Sequence, residues 1–264
     1  MAAGLGCVLV ASAALADLPF LTEEAETIEP GEFSLDIGIG YRDAPRDFGV
    51  QDRESQLDIG KSRLSFGLGR AELQLSGVPV ILIDQAGERN TNSGDWVFGT
   101  KVWLLQEHPQ RKRPSISFIY EVKLPNASDE LGGATDETDF FGTVIVSTRV
   151  NERDAFHANL GLGILGNPFS NASQNDVAIL RLAWDRRWDR QLLGLEAIAQ
   201  TGPMDTDDPS FLRAVYARNL GKWVIHGGVG VGIGEDSDNA VVDFGVRRRF
   251  KLGQPGTATR RNDW

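Results

Sequence analysis

Lys101, Glu121, Lys123, Arg149, His157, Arg181, Asp185, Glu196, Gln200, Arg213, His226, Asp243, Arg247 and Arg249 all lie in stretches where every second residue is apolar, and all take the other phase. Residues two apart in an extended chain point the same way, so each stretch has an apolar face backed by a polar or charged one. If the stretches enclose a space, acids and bases set around it have two uses. They line a polar path and set its selectivity for a small solute, or they pair across the space and close it.

Other chemistries fit the same residues less well. His157 or His226 with a serine suggests nucleophilic hydrolysis. A hydrolase of membrane lipid would need that pair on the apolar, lipid-facing phase near a rim, and neither histidine is there. No cysteine pair, His-Glu-x-x-His helix or calcium loop is present, and Asp205-Thr-Asp-Asp208 lacks the glycine and closing glutamate of such a loop. The Gly-x-Gly runs at 38–40, 161–163 and 228–234 lie inside extended stretches, with no helix following to hold a phosphate. The reading implies no cofactor and no metal, and it is not that of an enzyme.

The body of the chain has twelve alternating stretches: 33–41, 64–68, 73–83, 98–104, 116–124, 140–150, 156–164, 178–184, 193–199, 212–216, 223–233 and 240–250. Period-2 alternation marks each as a strand. In the third, alternation fails over 78–83, and Pro79 has no N–H for a ladder, so a bulge or an early strand end is expected there. The residues between strands alternate long and short. The long connections gather Asp129, Glu130, Asp136, Glu137, Asp205, Asp207, Asp208, Glu235 and Asp236. The short ones gather Arg111, Lys112, Arg113, Arg187, Arg190 and Lys222. A soluble sandwich has no reason to sort loop length and charge by parity. The expectation is all-β: one antiparallel up-and-down transmembrane β-barrel of about twelve strands, with short periplasmic turns and long extracellular loops. Aromatics near strand ends, among them Trp96, Trp103, Trp184 and Trp223, would form its interfacial girdles. Arg248, on the lipid-facing phase, lies close enough to a strand end to snorkel.

The lead-in Leu18-Pro-Phe-Leu-Thr-Glu, Pro30-Gly31-Glu-Phe, Asp95-Trp-Val-Phe-Gly-Thr-Lys101, Leu124-Pro, Asn159-Leu-Gly161 and Asp243-Phe-Gly-Val are short motifs spread over most of the chain. In these the sequence resembles the MetA-pathway of phenol degradation family. The resemblance implies an outer-membrane barrel connected with uptake of aromatic or other hydrophobic small molecules. It maps no catalytic chemistry onto these residues. The tail 251–264 departs from barrels whose last strand ends the chain on an aromatic residue, so either Phe250 or Trp264 would serve the assembly machinery.

Residues 1–16 form an apolar run ending Ala14-Leu15-Ala16, which reads as a secretory signal removed after Ala16; its lack of a basic start means either that the true start lies upstream or that the run is a buried N-terminal helix. Cys7, the only cysteine, lies within it, so the exported chain would depend on no disulfide. Residues 17–31 are acidic and without alternation, and read as a periplasmic lead-in that either folds into the lumen as a plug or stays a flexible terminus. The barrel is expected over 32–250. A formal net charge of −10 argues against nucleic acid. The partners expected are outer-membrane lipid and lipopolysaccharide, the barrel-assembly machinery and a small-molecule solute, in the outer membrane of a Gram-negative bacterium.

Overall fold

The computed structural model describes residues 20–44, 54–85, 88–108, 112–126, 138–165, 175–202, 210–233 and 237–252. The expected signal (1–16), the acidic loop residues named above and the tail beyond Leu252 lie outside them.

The alternating stretches are strands. They run β1 (Glu32–Ala44), β2 (Glu54–Leu68), β3 (Ala71–Gly77), β4 (Val80–Gln85), β5 (Glu88–Asn92), β6 (Trp96–Leu105) and β7 (Ser115–Leu124). There follow β8 (Asp139–Arg149), β9 (Asp154–Leu165), β10 (Asn175–Trp188), β11 (Gln191–Thr201), β12 (Ser210–Asn219), β13 (Trp223–Gly232) and β14 (Ala240–Lys251). All pair antiparallel in one sheet, and β1 pairs with both β2 and β14, which closes the wall. Both β3 and β4 pair with β2, one beyond the other, so they form one stave interrupted at Val78 and Pro79, where the sequence predicts a break. A neighbouring interruption at 93–95, where the Gly94 amide donates to the Val78 carbonyl, separates β5 from β6, giving a closed antiparallel barrel of 12 staves.

Two polar stretches read as loops contribute strand. The connection expected over 42–56 is shortened by the ends of β1 and β2, and β5 lies inside the polar stretch 85–95. These extensions continue the wall at the long-loop end, past the apolar belt, where both faces are polar and alternation gives no contrast. At the other end the turns are tight. Gly69 and Arg70 join β2 to β3, and Asp189 and Arg190 join β10 to β11. The bulge in β2 sits at Gly60, whose φ of +74° favours glycine.

The wall has its apolar side outward. On β9, Leu160 is 61% and Leu162 72% exposed, while Asn159 between His157 and Gly161 is fully buried. Ile39, Phe98, Phe118, Leu182, Leu195, Val229 and Phe244 likewise face out. Ser65, Glu72, Gln74, Lys101, Ser117, Asp185 and Arg213 are buried inside. A soluble sandwich buries its apolar faces against each other. An outer apolar belt around a polar interior is the arrangement of barrels that meet lipid.

Candidate functional site: the lumen and the segment within it

Residues 20–31 lie inside the barrel at its short-turn end. Thr22, Glu23, Glu24, Ala25, Thr27 and Ile28 are all buried, and the inner wall meets them group by group. Phe20 packs on Leu192, Val215 and Ala217, with Val224 beside them. Its ring occupies the place a side chain at position 194 would fill, so Gly194 makes room for it. The amides of Leu21 and Thr22 donate to Glu196 Oε2, each at 3.1 Å, and Arg181 Nη1 donates to the Leu21 carbonyl at 2.9 Å. Asn159 holds Glu23 by both backbone groups: its Oδ1 accepts from the amide at 2.7 Å and its Nδ2 donates to the carbonyl at 2.9 Å. Ala25 donates to Ser147 Oγ at 2.9 Å, accepts from Ser117, and fits between Ile119 and Ile145. The Ile28 amide donates to Glu72 Oε2 at 3.0 Å.

The segment's carboxylates meet lumen cations. Glu23 bridges Arg63 and Lys101, the latter at 3.3 Å, and Lys101 also reaches Glu72 at 3.4 Å. Glu24 pairs with Arg187 at 3.5 Å, and Glu26 with Arg149 at 3.7 Å. Burial by itself would raise the Glu23 pKa, but Arg63 and Lys101 outweigh it and hold the carboxyl well below the usual carboxylate range. For Glu26 the balance is opposite. Burial and the charge of Glu24 push its pKa up, against a weaker pull from Arg149.

All fourteen residues that alternation places on the polar phase fall on the inner face, and the twelve of them other than Asp185 and Gln200 are the lumen-lining candidates. Lys101, Arg149, Arg181 and Glu196 hold the segment, as above. Lys123, Arg213, His226, Asp243 and Arg247 pair within the wall. Lys123 meets Asp139 at 2.6 Å, and Arg213 bridges Glu196 and Asp243. His226 and Arg247 both reach Asp36 Oδ2, at 2.9 and 2.7 Å. His157 acts at one remove. Its Nδ1 meets Ser147 Oγ and its Nε2 meets Asp185 Oδ2, both at 2.8 Å. Glu121 sits beside Gly99, and Arg249 lies opposite Ser34 near the short-turn rim.

Several partners escape the sequence reading. Ser117, Ser147 and Asn159 are neutral and carry no charge signal, yet they hold the segment's main chain. Arg187, assigned to a turn, is on the inner face of β10 with Asp185, at 2.7 Å. Trp103, assigned to an outer girdle, shares the inner phase of Lys101, and its indole donates to the buried Ser115 Oγ at 2.6 Å. Apolar residues also enter the lumen: Ile119, Ile145, Val177 and Ile179 are buried on the inner phase.

The glycines of the closing hairpin have a specific use. Arg213 lies across Gly228 and Gly230 to reach Asp243, and His226 lies against Gly245. Outside, a shallow groove of about 440 Å³ runs over Ala158 and Ala197 between Phe156, Trp184 and Leu195; it belongs to the outer wall, not the lumen. No group of His, Cys, Asp and Glu among the described residues is placed to hold a metal ion.

The barrel is similar to solved structures. An outer membrane channel from Pseudomonas putida F1 superposes with a TM-score of 0.68 at 10% identity, over 86% of this chain and 98% of that one. The translocator domain of the autotransporter NalP from Neisseria meningitidis gives 0.56 at 11%, over 86% and 91%. The KdgM porin gives 0.53 at 10%, over 82% and 99%. At these identities the likeness is one of fold. No protein-family model matches the chain, and no curated protein matches it in sequence.

Proposed function

We propose that this protein is an outer-membrane channel for small solutes, held shut in the present structure by residues 20–31. The observation that carries the reading is how that segment is bound. Its amides and carboxylates contact inward side chains from β2, β3, β6, β8, β9, β10 and β11, all of them groups that water could satisfy in its place. Phe20 is its largest apolar anchor. A permanent core would be built of interlocked apolar side chains. A removable closure has to leave behind a lumen that tolerates water, and the polar side chains that hold this segment support that reading.

In this reading the short turns face the periplasm. The long acidic loops face outward, where divalent cations bridge them to lipopolysaccharide. The chain is exported by a signal ending at Ala16 and inserted by the barrel-assembly machinery. Two of the similar structures are themselves a channel and a porin, in agreement with passage of solute. The resemblance to the phenol-degradation family suggests aromatic or hydrophobic cargo, and the inner Ile145, Val177 and Ile179 suit such a solute. Lys101, Glu121, Lys123, Arg149, His157, Arg181, Glu196, Arg213, His226, Asp243, Arg247 and Arg249 would set selectivity once the segment moves.

The second reading, a structural or surface-interaction barrel with a filled lumen, draws on one observation: Arg213 joins Glu196 and Asp243 across the inner wall, as a permanent brace would. The hydrolase reading has a Ser147–His157–Asp185 chain to consider, but Ser147 is buried and its oxygen already accepts from Ala25.

The test has two stages. Protein from outer-membrane fractions should run fast on an unboiled detergent gel and shift on boiling; a soluble periplasmic chain with no shift ends the membrane reading. In planar bilayers, deletion of 20–30 should raise conductance above that of the full chain. A deletion variant that stays folded and silent favours the filled-lumen barrel.

A further inference from the structure

On the outer wall at the short-turn end, one cation lies over an indole and two more stand close to it in sequence and register. Arg248 faces outward from β14, directly opposite Trp223 on β13 and Leu35 on β1. Its guanidinium carbon lies 4.9 Å from the Trp223 ring centre and 4.7 Å from that of Phe250, which packs in turn against Phe33 at 6.1 Å. Lys222 precedes Trp223 in the turn, and Arg218, on the outer face of β12, pairs in register with Ile225 two residues beyond it. Among the described residues none of these three cations has a carboxylate partner. The short-turn halves of β12, β13, β14 and β1 put no Asp or Glu on the outer face.

A lone cation on an apolar wall is expensive unless something offsets it. The two rings offset part of the cost by cation–π attraction, which occupies none of the guanidinium N–H groups. Its five donors therefore remain available in a planar fork suited to a phosphate. Lys222, next to Trp223 in the chain, and Arg218, on the outer face of the neighbouring strand, add charge to the same end of the wall. Unpaired positive charge beside an apolar surface, at interfacial depth, complements a ligand with a phosphate head and acyl chains.

We propose that Arg248, Lys222, Arg218 and Trp223 form a binding site for the phosphate headgroup of an anionic phospholipid in the periplasmic leaflet. The proposal rests on the outer-membrane reading, which supplies the leaflet, and adds a lipid preference that reading does not require.

The test is native mass spectrometry of the folded full chain, released from micelles doped with equal phosphatidylglycerol and phosphatidylcholine. The wild type should retain phosphatidylglycerol preferentially. Arg248→Gln and Lys222→Gln should each reduce the preference about fivefold, the scale for one basic residue at an anionic surface. Arg248→Lys should keep part of it, and Arg89→Gln, at the opposite end of the barrel, should leave it unchanged. Folding is checked by the gel shift. If Arg248→Gln does not fold, Lys222→Gln in its exposed turn decides the matter. A folded wild type without preference, variants that match the wild type, or displacement of the lipid by excess inorganic phosphate would each overturn the site. Failure of the membrane reading is separate, appearing as a chain that does not insert into vesicles of either lipid.

Discussion

Glu23→Gln is the smallest change that should loosen the segment without touching the wall. The amide side chain keeps the length of the carboxylate, and both backbone bonds to Asn159 survive. What is lost is one negative charge between Arg63 and the fully buried Lys101. Removing one partner of a buried ion pair costs about 3–5 kcal/mol. Two features reduce that here. Arg63 is 29% exposed, so water takes up part of its charge, and Lys101 retains Glu72 at 3.4 Å. We therefore expect about 2–3 kcal/mol, which at ~1.4 kcal/mol per decade is roughly a 30- to 150-fold shift from docked to undocked. The loss falls on docking and not on the barrel, so the gel shift should stay at the wild-type temperature. Single-channel recording should show the ratio of open to closed time rise by that factor. Glu26→Gln is the contrast, since Arg149 is 42% exposed and the pair stands 3.7 Å apart. A pair so exposed contributes about 0–1 kcal/mol, and burial with the charge of Glu24 outweighs it, so Glu26→Gln should not raise the open fraction at neutral pH. If Glu23→Gln gates like the wild type while deletion of 20–30 opens the channel, the Glu23 bridge does not hold the segment and the electrostatic argument fails.

Docking should also depend on pH, with two signs. Glu23 has a lowered pKa when docked, so its contribution is complete above the ordinary glutamate value of about 4.3 and disappears only as pH falls well below it. Glu26 has a raised one, so the docked segment takes up a proton above that value, and docking strengthens as pH falls from neutral toward it. Conductance should accordingly decrease on mild acidification and return in strong acid, and Glu26→Gln should abolish the first phase; a flat profile contradicts both assignments. Gly230→Ala would drive a methyl group into the Arg213 stem and within 3.1 Å of the Leu212 carbonyl. Overpacking of this kind costs about 1–3 kcal/mol, read as a lower temperature for the gel shift, and pairing it with Arg213→Ala should cost less than the sum of the two changes. Ser147 should not react with a fluorophosphonate probe in the folded full chain, because Ala25 covers its oxygen; rapid labelling would revive the hydrolase reading.

The wall was legible wherever its two faces differ. In β9 the run Phe156, Ala158, Leu160, Leu162, Ile164 against His157, Asn159, Gly161, Gly163 leaves one assignment for each side chain. Legibility failed where contrast failed. β5 (Glu-Arg-Asn-Thr-Asn) is polar on both faces, so only its pairing with β4 identifies it. Ile119 stands in an unbroken apolar setting with Phe118 and Tyr120, which hides its inward direction. Parity would have recovered Arg187 and Trp103, which keep step with Asp185 and Lys101, but their neighbourhoods suggested a basic turn and a girdle. The candidate residues were found as a phase and not as a set of partners. Glu72 and Lys101 are brought together by the register of β3 and β6, and Glu23 by insertion of the segment, and nothing local in the sequence announces either. The segment 20–31 has no period because its amides are satisfied by side chains from many strands in place of a ladder.

Asn159, which grips Glu23 by both its amide and its carbonyl, makes the lumen a receptor for main chain, with the segment as its tethered ligand. Gly31 joins that ligand to β1 at the very end where the wall opens, and its amide is fixed to the Gly67 carbonyl at 2.9 Å. If the segment is the closure of a channel, it would withdraw and return through that mouth after the barrel has sealed. A short tether presents its ligand at an effective concentration in the millimolar range. An intrinsically weak peptide therefore suffices to keep the lumen occupied, and the same peptide cut free would have to be supplied at about that concentration to restore closure. The strength of the closure is thus set jointly by the site and by the length of chain leading into it, and the tether can be adjusted without altering a single residue of the lumen.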